Sequence, residues 1–152
     1  MTFRQGGIMR LRIPALAACG ILLGACLGPS WADETAKSSP SITATYVKGA
    51  ISGSKQYLRS YLAINPDCSS LGLAKVTVAT EPEHGQVIVE NGEAYPDFDK
   101  DNVRVRCNDR KVPAVLIYYQ SESGFTGADR MVLDTVMASG MFYRHEFTIN
   151  VR

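Results

Sequence analysis

The sequence has no excess of either charge: 16 Lys and Arg stand against 15 Asp and Glu, a net of +1. A nucleic-acid partner would want a basic face, so none is expected. Histidine is scarce, with only His84 and His145. The four cysteines contain no C-x-x-C pair, which argues against a thiol redox centre or a structural zinc. Ser123-Gly124 lacks the G-x-S-x-G arrangement of hydrolases, and no other motif names a nucleophile. No internal repeat occurs, and beyond residue 42 no stretch sustains a 3.6-residue apolar period. These absences leave a non-enzymatic role as the expectation, with no cofactor.

One long apolar run is present. Arg4, Arg10 and Arg12 precede Ile13–Leu27, and the first acidic residue is Asp33. The run of roughly 15 residues is short for a membrane-spanning helix, which needs about 20. It ends at Gly28-Pro29, and Ser30-Trp31-Ala32 offers small residues on either side of a larger one, as signal peptidase requires. Residues 1–32 therefore read as an export signal, 33–42 as a polar leader and 43–152 as the folded domain, periplasmic or secreted. No transmembrane helix is expected after processing. A second route stays open: Leu23-Gly24-Ala25-Cys26 resembles a lipobox, which would leave a lipid anchor at Cys26. Removing residues 1–32 takes three of the 16 basic residues and no acid, so the remainder carries 13 against 15, a net of −2.

Cys19 and Cys26 lie in the signal, leaving Cys68 and Cys107 for the domain. Two cysteines in an oxidising compartment read as one disulfide.

Short β-rich runs fill the domain: Thr43–Lys48, Tyr57–Ile64, Ala74–Thr80, Gln86–Glu90, Asn102–Cys107, Ala114–Gln120, Arg130–Ala138 and Met141–Val151. In the last, Tyr143, His145, Phe147, Ile149 and Val151 alternate with polar residues, as in a half-buried antiparallel strand. Ala114–Tyr119 is almost wholly apolar and predicts a central strand covered on both faces. Turns are expected at 65–67, 81–85, Asn91-Gly92, Ser123-Gly124 and Ser139-Gly140, the last a tight hairpin. The expected fold is all-β: an antiparallel, Ig-like β-sandwich of about seven or eight strands with one disulfide.

Thr80-Glu81-Pro82-Glu83-His84-Gly85-Gln86-Val87, Tyr118-Tyr119, Gly124-Phe125-Thr126-Gly127-Ala128-Asp129 and the closing Ile149-Asn150-Val151 resemble the bacterial Ig-like or cadherin-like repeat. The resemblance covers about residues 73–151. It implies structural roles for the motif residues: positive φ at Gly85 and Gly127, a plug at the sandwich end from Phe125, and a turn-capping carboxylate from Asp129. Family members usually stand in tandem arrays with calcium at the junctions, whereas this sequence holds one copy. It also lacks the proline that commonly follows the V-x-Y strand. The added cysteine pair resembles the small periplasmic single-domain type. Such a domain would serve as a binding or accessory module for a protein or envelope polymer.

Other residues invite chemical readings. Asp97, Asp99 and Asp101 open like an EF-hand loop, but Asn102 and Asn108 stand where Gly and Glu are needed, so a solvated acidic loop is expected. A small metal-handling protein or hydrolase using His84 with these acids is the alternative function. On strand alternation, Arg104 and Arg106 would share one face and offer an anionic polymer a grip. Tyr57 and Tyr61 would likewise share a face as a carbohydrate or protein platform. His145, on an apolar face, is read as a core or edge histidine.

Overall fold

A computed structural model describes residues 42–152. The expected export signal, most of the expected leader and Cys26 lie outside the described residues. Among those described, no helix is long and apolar enough to cross a membrane.

Seven strands form in chain order: β1 (Ile42–Ala50), β2 (Lys55–Tyr61), β3 (Lys75–Thr80), β4 (Gly85–Ala94), β5 (Val112–Ser121), β6 (Gly127–Val136) and β7 (Phe142–Val151). They make two sheets, ordered β1-β7-β6-β3 and β2-β5-β4. All neighbours are antiparallel except β1 and β7, which run parallel. The fold is an all-β sandwich with one disulfide.

Period-2 alternation builds the core. On β7, His145, Phe147, Ile149 and Val151 point inward and are buried, while Arg144, Glu146 and Asn150 are exposed. From the facing sheet, β5 contributes Val115, Ile117 and Tyr119, and β6 adds Met131 and Leu133. Loop 137–141 closes the β6–β7 hairpin, with the Met137 amide donating to the Met141 carbonyl at 2.8 Å. β5 is central in its sheet, but only its inner face is fully covered. Leu116 and Tyr118 on its outer face are half-buried, because among the described residues no third layer lies over them.

Three expectations are corrected. Asn91-Gly92 is not a turn but part of the ten-residue β4. A Cβ at Gly92 would stand 2.8 Å from Leu116 Cδ1, so the glycine makes room for a neighbour in mid-strand. Asn102–Cys107 is not a strand either: it forms turns and a 3-10 helix over Val105–Cys107. The Asn102 side chain accepts the Arg104 amide at 2.9 Å and the Asp99 carbonyl accepts the Asn102 amide at 2.9 Å. Asp and Asn thus draw the backbone into local bonds before it can join a ladder. Gly85, finally, is not at positive φ, unlike Gly124 and Gly127. It is glycine because a Cβ there would lie 2.6 Å from the Gln120 carbonyl and 2.7 Å from the Tyr119 ring.

The strand directions sort the connections between two ends. Loops 51–54, 81–84 and 122–126 gather at one end; loops 62–74, 95–111 and 137–141 gather at the other.

Candidate functional site

The end with the short loops is held by hydrogen bonds. The buried Asp129 carboxylate accepts the amides of Glu83 at 2.9 Å, His84 at 3.0 Å and Arg130 at 2.8 Å, and the Tyr119 hydroxyl at 2.9 Å. Burial alone would raise the Asp129 pKa, but these four donors outweigh it and hold the carboxyl below its usual range. Tyr119 is pushed up, by burial first and then by its bond to Asp129. Phe125 is half-buried against the core and stacks on His84 with ring centroids 4.1 Å apart, while Pro82 is buried beside them. These motif residues tie turn 81–84 to β6, a structural arrangement.

The opposite end differs in length, covalent bracing and surface chemistry. Cys68 and Cys107 are disulfide-bonded, with Cα atoms 5.5 Å apart across a sequence separation of 39. The bridge joins loop 62–74 to loop 95–111. Cys68 is held at φ +70, an uncommon conformation for a side chain of its kind. A turn sets it: Asn65 O accepts the Cys68 amide at 3.0 Å, and Asp67 takes the Ser69 amide at 3.0 Å. Those Ser69 hydrogen bonds also lower the Asp67 pKa. Arg104 Nε donates to the Ile64 carbonyl at 2.8 Å, and Arg106 donates twice to the Pro66 carbonyl, at 3.0 and 2.7 Å. The two arginines therefore staple one loop to the other; they do not share a strand face as an anion grip. Beneath them, Cys107 packs with Ile64 and Val112, and Phe98 joins this second small core. The Phe98 backbone is fixed twice by the Asn108 side chain.

These braced loops carry apolar tips. Of the 12 exposed large hydrophobic residues among those described, six lie on the three loops of this end: Leu71, Leu73, Tyr95, Val103, Val105 and Met141. The loops of the other end carry one, Ile51. Contiguous exposed apolar patches mark recognition surfaces, and loops are where binding residues concentrate.

A pocket of about 320 Å³ opens within this end, between loop 95–98 and the β6–β7 hairpin, with His145 and Tyr61 in its lining. Tyr61 Oη and His145 Nδ1 are hydrogen-bonded at 2.9 Å. The Arg59 guanidinium lies 4.9 Å from the Tyr46 ring centroid and 5.5 Å from that of Tyr61, a fixed cation between two rings. Arg59 Nη1 donates to the Tyr46 hydroxyl at 2.5 Å, and its Nε is buried without a partner. Burial first, and the Arg59 charge second, push the His145 pKa down to about 4. Burial likewise raises Tyr61. His145 is thus the neutral member of a cationic aromatic cluster.

The depressed His145 value makes stability pH-dependent. Unfolded histidine titrates near pH 6.5, so between that value and about 4 the unfolded chain binds the extra proton. The His145 contribution is fully present above pH ~6.5 and is lost as the pH falls toward the folded value, by on the order of 3 kcal/mol. Urea midpoints from pH 7 to pH 4 are expected to show this decline. His145→Phe is expected to flatten it.

The remaining candidates separate. Tyr57 and Tyr61 do not share a face: the pairing of β2 with β5 shifts register between Tyr57 and Arg59. Leu58 is the extra residue of this bulge and turns inward, leaving Tyr57 outside, edge-on to Tyr118, and Tyr61 buried. His84 sits on loop 81–84 at one end, while Asp97, Asp99 and Asp101 lie on loop 95–111 at the other. The ten residues of β4 hold them apart by about 30 Å. Among the described residues, no three His, Cys, Asp or Glu side chains cluster to hold a metal ion. His84 is therefore not brought together with Asp97, Asp99 and Asp101 in one site.

The apolar tips and the Arg59 cluster match no motif in the sequence. The available signals were isolated Leu and Val residues within Asn- and Asp-rich stretches, and an arginine two residues from a tyrosine on a β-rich run.

No protein-family model and no curated protein matches the chain. Among solved structures, that described as the solution structure of Amebosin is similar at a TM-score of 0.40 and 13% identity, over 75% of this chain and 100% of that one. A likeness at that level carries no argument.

Proposed function

We propose that the chain is an exported, non-enzymatic Ig-like binding or accessory module that engages a protein partner of the cell envelope through its disulfide-bridged loop end. The observation that carries this reading is the concentration of exposed apolar tips on three loops, two of them stapled together. Holding loops rigid before binding removes part of the ordering cost of association.

The strand order supports the Ig-like part. With β2 to β7 read as strands B to G, the sheets run B-E-D and G-F-C, the order of the Ig sandwich, with β1 moved to the G edge. The loops of the disulfide-bridged end then include B–C and F–G, at the end where variable domains carry their binding loops. This is fold-level analogy and names no partner. Export is supported by the disulfide, which persists in oxidising compartments, and by the N-terminal sequence.

Leu71→Asp combined with Val103→Asp places two charges on the exposed tips. Recovery of envelope proteins on the purified chain is expected to fall tenfold or more, with the melting temperature little changed, because both side chains are exposed. Undiminished recovery with the double variant would remove the loop end from consideration.

A further inference from the structure

A sheet edge needs protection, and three of the four edges here have it. β2 carries the Leu58 bulge and turns the Arg59 charge inward. β3 is six residues long and shifts register between Val78 and Thr80. β1 points Lys48 inward, opposite the buried Ile149. Short strands, bulges and inward charges are the ordinary devices that keep edges from pairing.

β4 has none of them along Gln86–Val89. It pairs with β5 over ten residues without a register shift and contains no proline. The charges of β4 lie beyond this stretch: Glu93 falls on the inner face, opposite Pro113, and the outward Glu90 is matched within the chain, where Lys55 reaches over the Tyr118 ring, 4.1 Å from its centroid, and meets Glu90 at 2.6 Å. Val89 faces inward opposite Ile117, which is fully buried, yet Val89 itself is 44% exposed. Nothing flanks β4 on its open side among the described residues.

Independently of the loop-end reading, we infer that β4 is the pairing edge for a second copy of this chain, joined antiparallel about a two-fold axis at Ile88. The sequence complements itself in that register. Residues directly opposite one another share a face. Ile88 then opposes Ile88 and Gln86 opposes Glu90 on the outer face, while Val87 opposes Val89 on the inner face. Within Gln86–Glu90 no like charges meet, an amide is set against each carboxylate, and each exposed Val89 gains an apolar neighbour. The result is a continuous six-stranded sheet, β2-β5-β4-β4-β5-β2, with an isologous interface.

Sedimentation velocity and light scattering of the purified full chain, from micromolar to several hundred micromolar, test the inference. The expected result is a concentration-dependent doubling of mass. Ile88→Lys and Ile88→Glu, each alone, are expected to sediment as single chains, and their equimolar mixture to regain the doubled mass. Hydrogen exchange provides a measurement free of substitutions: amides within Gln86–Glu90 are expected to exchange more slowly as concentration rises. A wild-type chain that stays single throughout overturns the inference, as does a dimer that both variants preserve. Protection that appears only with another protein bound at β4 also overturns it, and assigns the edge to that protein.

Discussion

Replacing Asp129 with alanine is expected to destabilise the domain by roughly 3–5 kcal/mol, more than any other single substitution at the short-loop end. Three backbone amides and the Tyr119 hydroxyl point at one buried carboxylate. Removing it leaves every one of those donors without its acceptor, and each unsatisfied buried group costs about 1–3 kcal/mol. At roughly 5 °C per kcal/mol for a domain of this size, the melting temperature should fall by about 15–25 °C. Tyr119→Phe deletes a single bond of the set and is expected to cost about 1.5–3 kcal/mol. The pH dependence carries the same signature. The folded Asp129 pKa lies below the unfolded value, so its contribution is present above the ordinary carboxylate range and is lost as the pH falls through the folded value. Asp129→Ala should erase that acid limb while leaving the His145 decline at higher pH in place. Thermal melts of the two variants from pH 7 to pH 2 measure both.

The second large effect belongs to the disulfide. Cys68→Ala with Cys107→Ala is expected to cost about 4 kcal/mol on the chain-entropy account, for a closed loop of about 40 residues. Cys107 is fully buried beside Ile64 and Val112, so the double replacement also thins the small core under the loops. The hydrogen bonds from Arg104 and Arg106 to the facing loop survive in the variant. Opening should therefore concentrate at 66–74, between those anchors and β3, where limited proteolysis is expected to cut first. If the loop end is the binding surface, partner recovery should fall further than the stability loss alone implies, because loops ordered before binding must now be ordered during it. Chemical denaturation with and without reductant gives the stability; recovery at a temperature where both proteins are folded gives the rest.

The strong alternation of Tyr143–Val151 made β7 legible, since an inward row of His145, Phe147, Ile149 and Val151 has no other use. Seven of the eight expected runs are strands, and the eighth shows why alternation alone misleads. Val103-Arg104-Val105-Arg106 alternates as a strand should, yet the Asp and Asn residues before it spend their hydrogen bonds locally. Asn91-Gly92 misleads in the opposite sense: a dipeptide that favours tight turns stays in mid-strand because Leu116 needs the missing Cβ. The first is a local choice and the second a tertiary one. The Leu58 bulge belongs with them, for one added residue reversed the facing of Tyr57 relative to Tyr61 and dissolved an expected platform. The loop end was legible only in part. Cys68 and Cys107 signalled a bridge, but which loops it joined, and which apolar residues those loops held in solvent, depended on strand directions that no local pattern encodes.

Photocrosslinking in the producing cell tests the binding surface most directly. A photoreactive side chain would be placed in turn at Leu71, Val103, Ile51 and Ser123, two exposed positions on each end of the sandwich. Capture of the same discrete protein from Leu71 and Val103, with none from Ile51 or Ser123, is the predicted result. Capture from Ile51 or Ser123 while Leu71 and Val103 stay silent would contradict it, and would move the binding surface to the end that Asp129 holds.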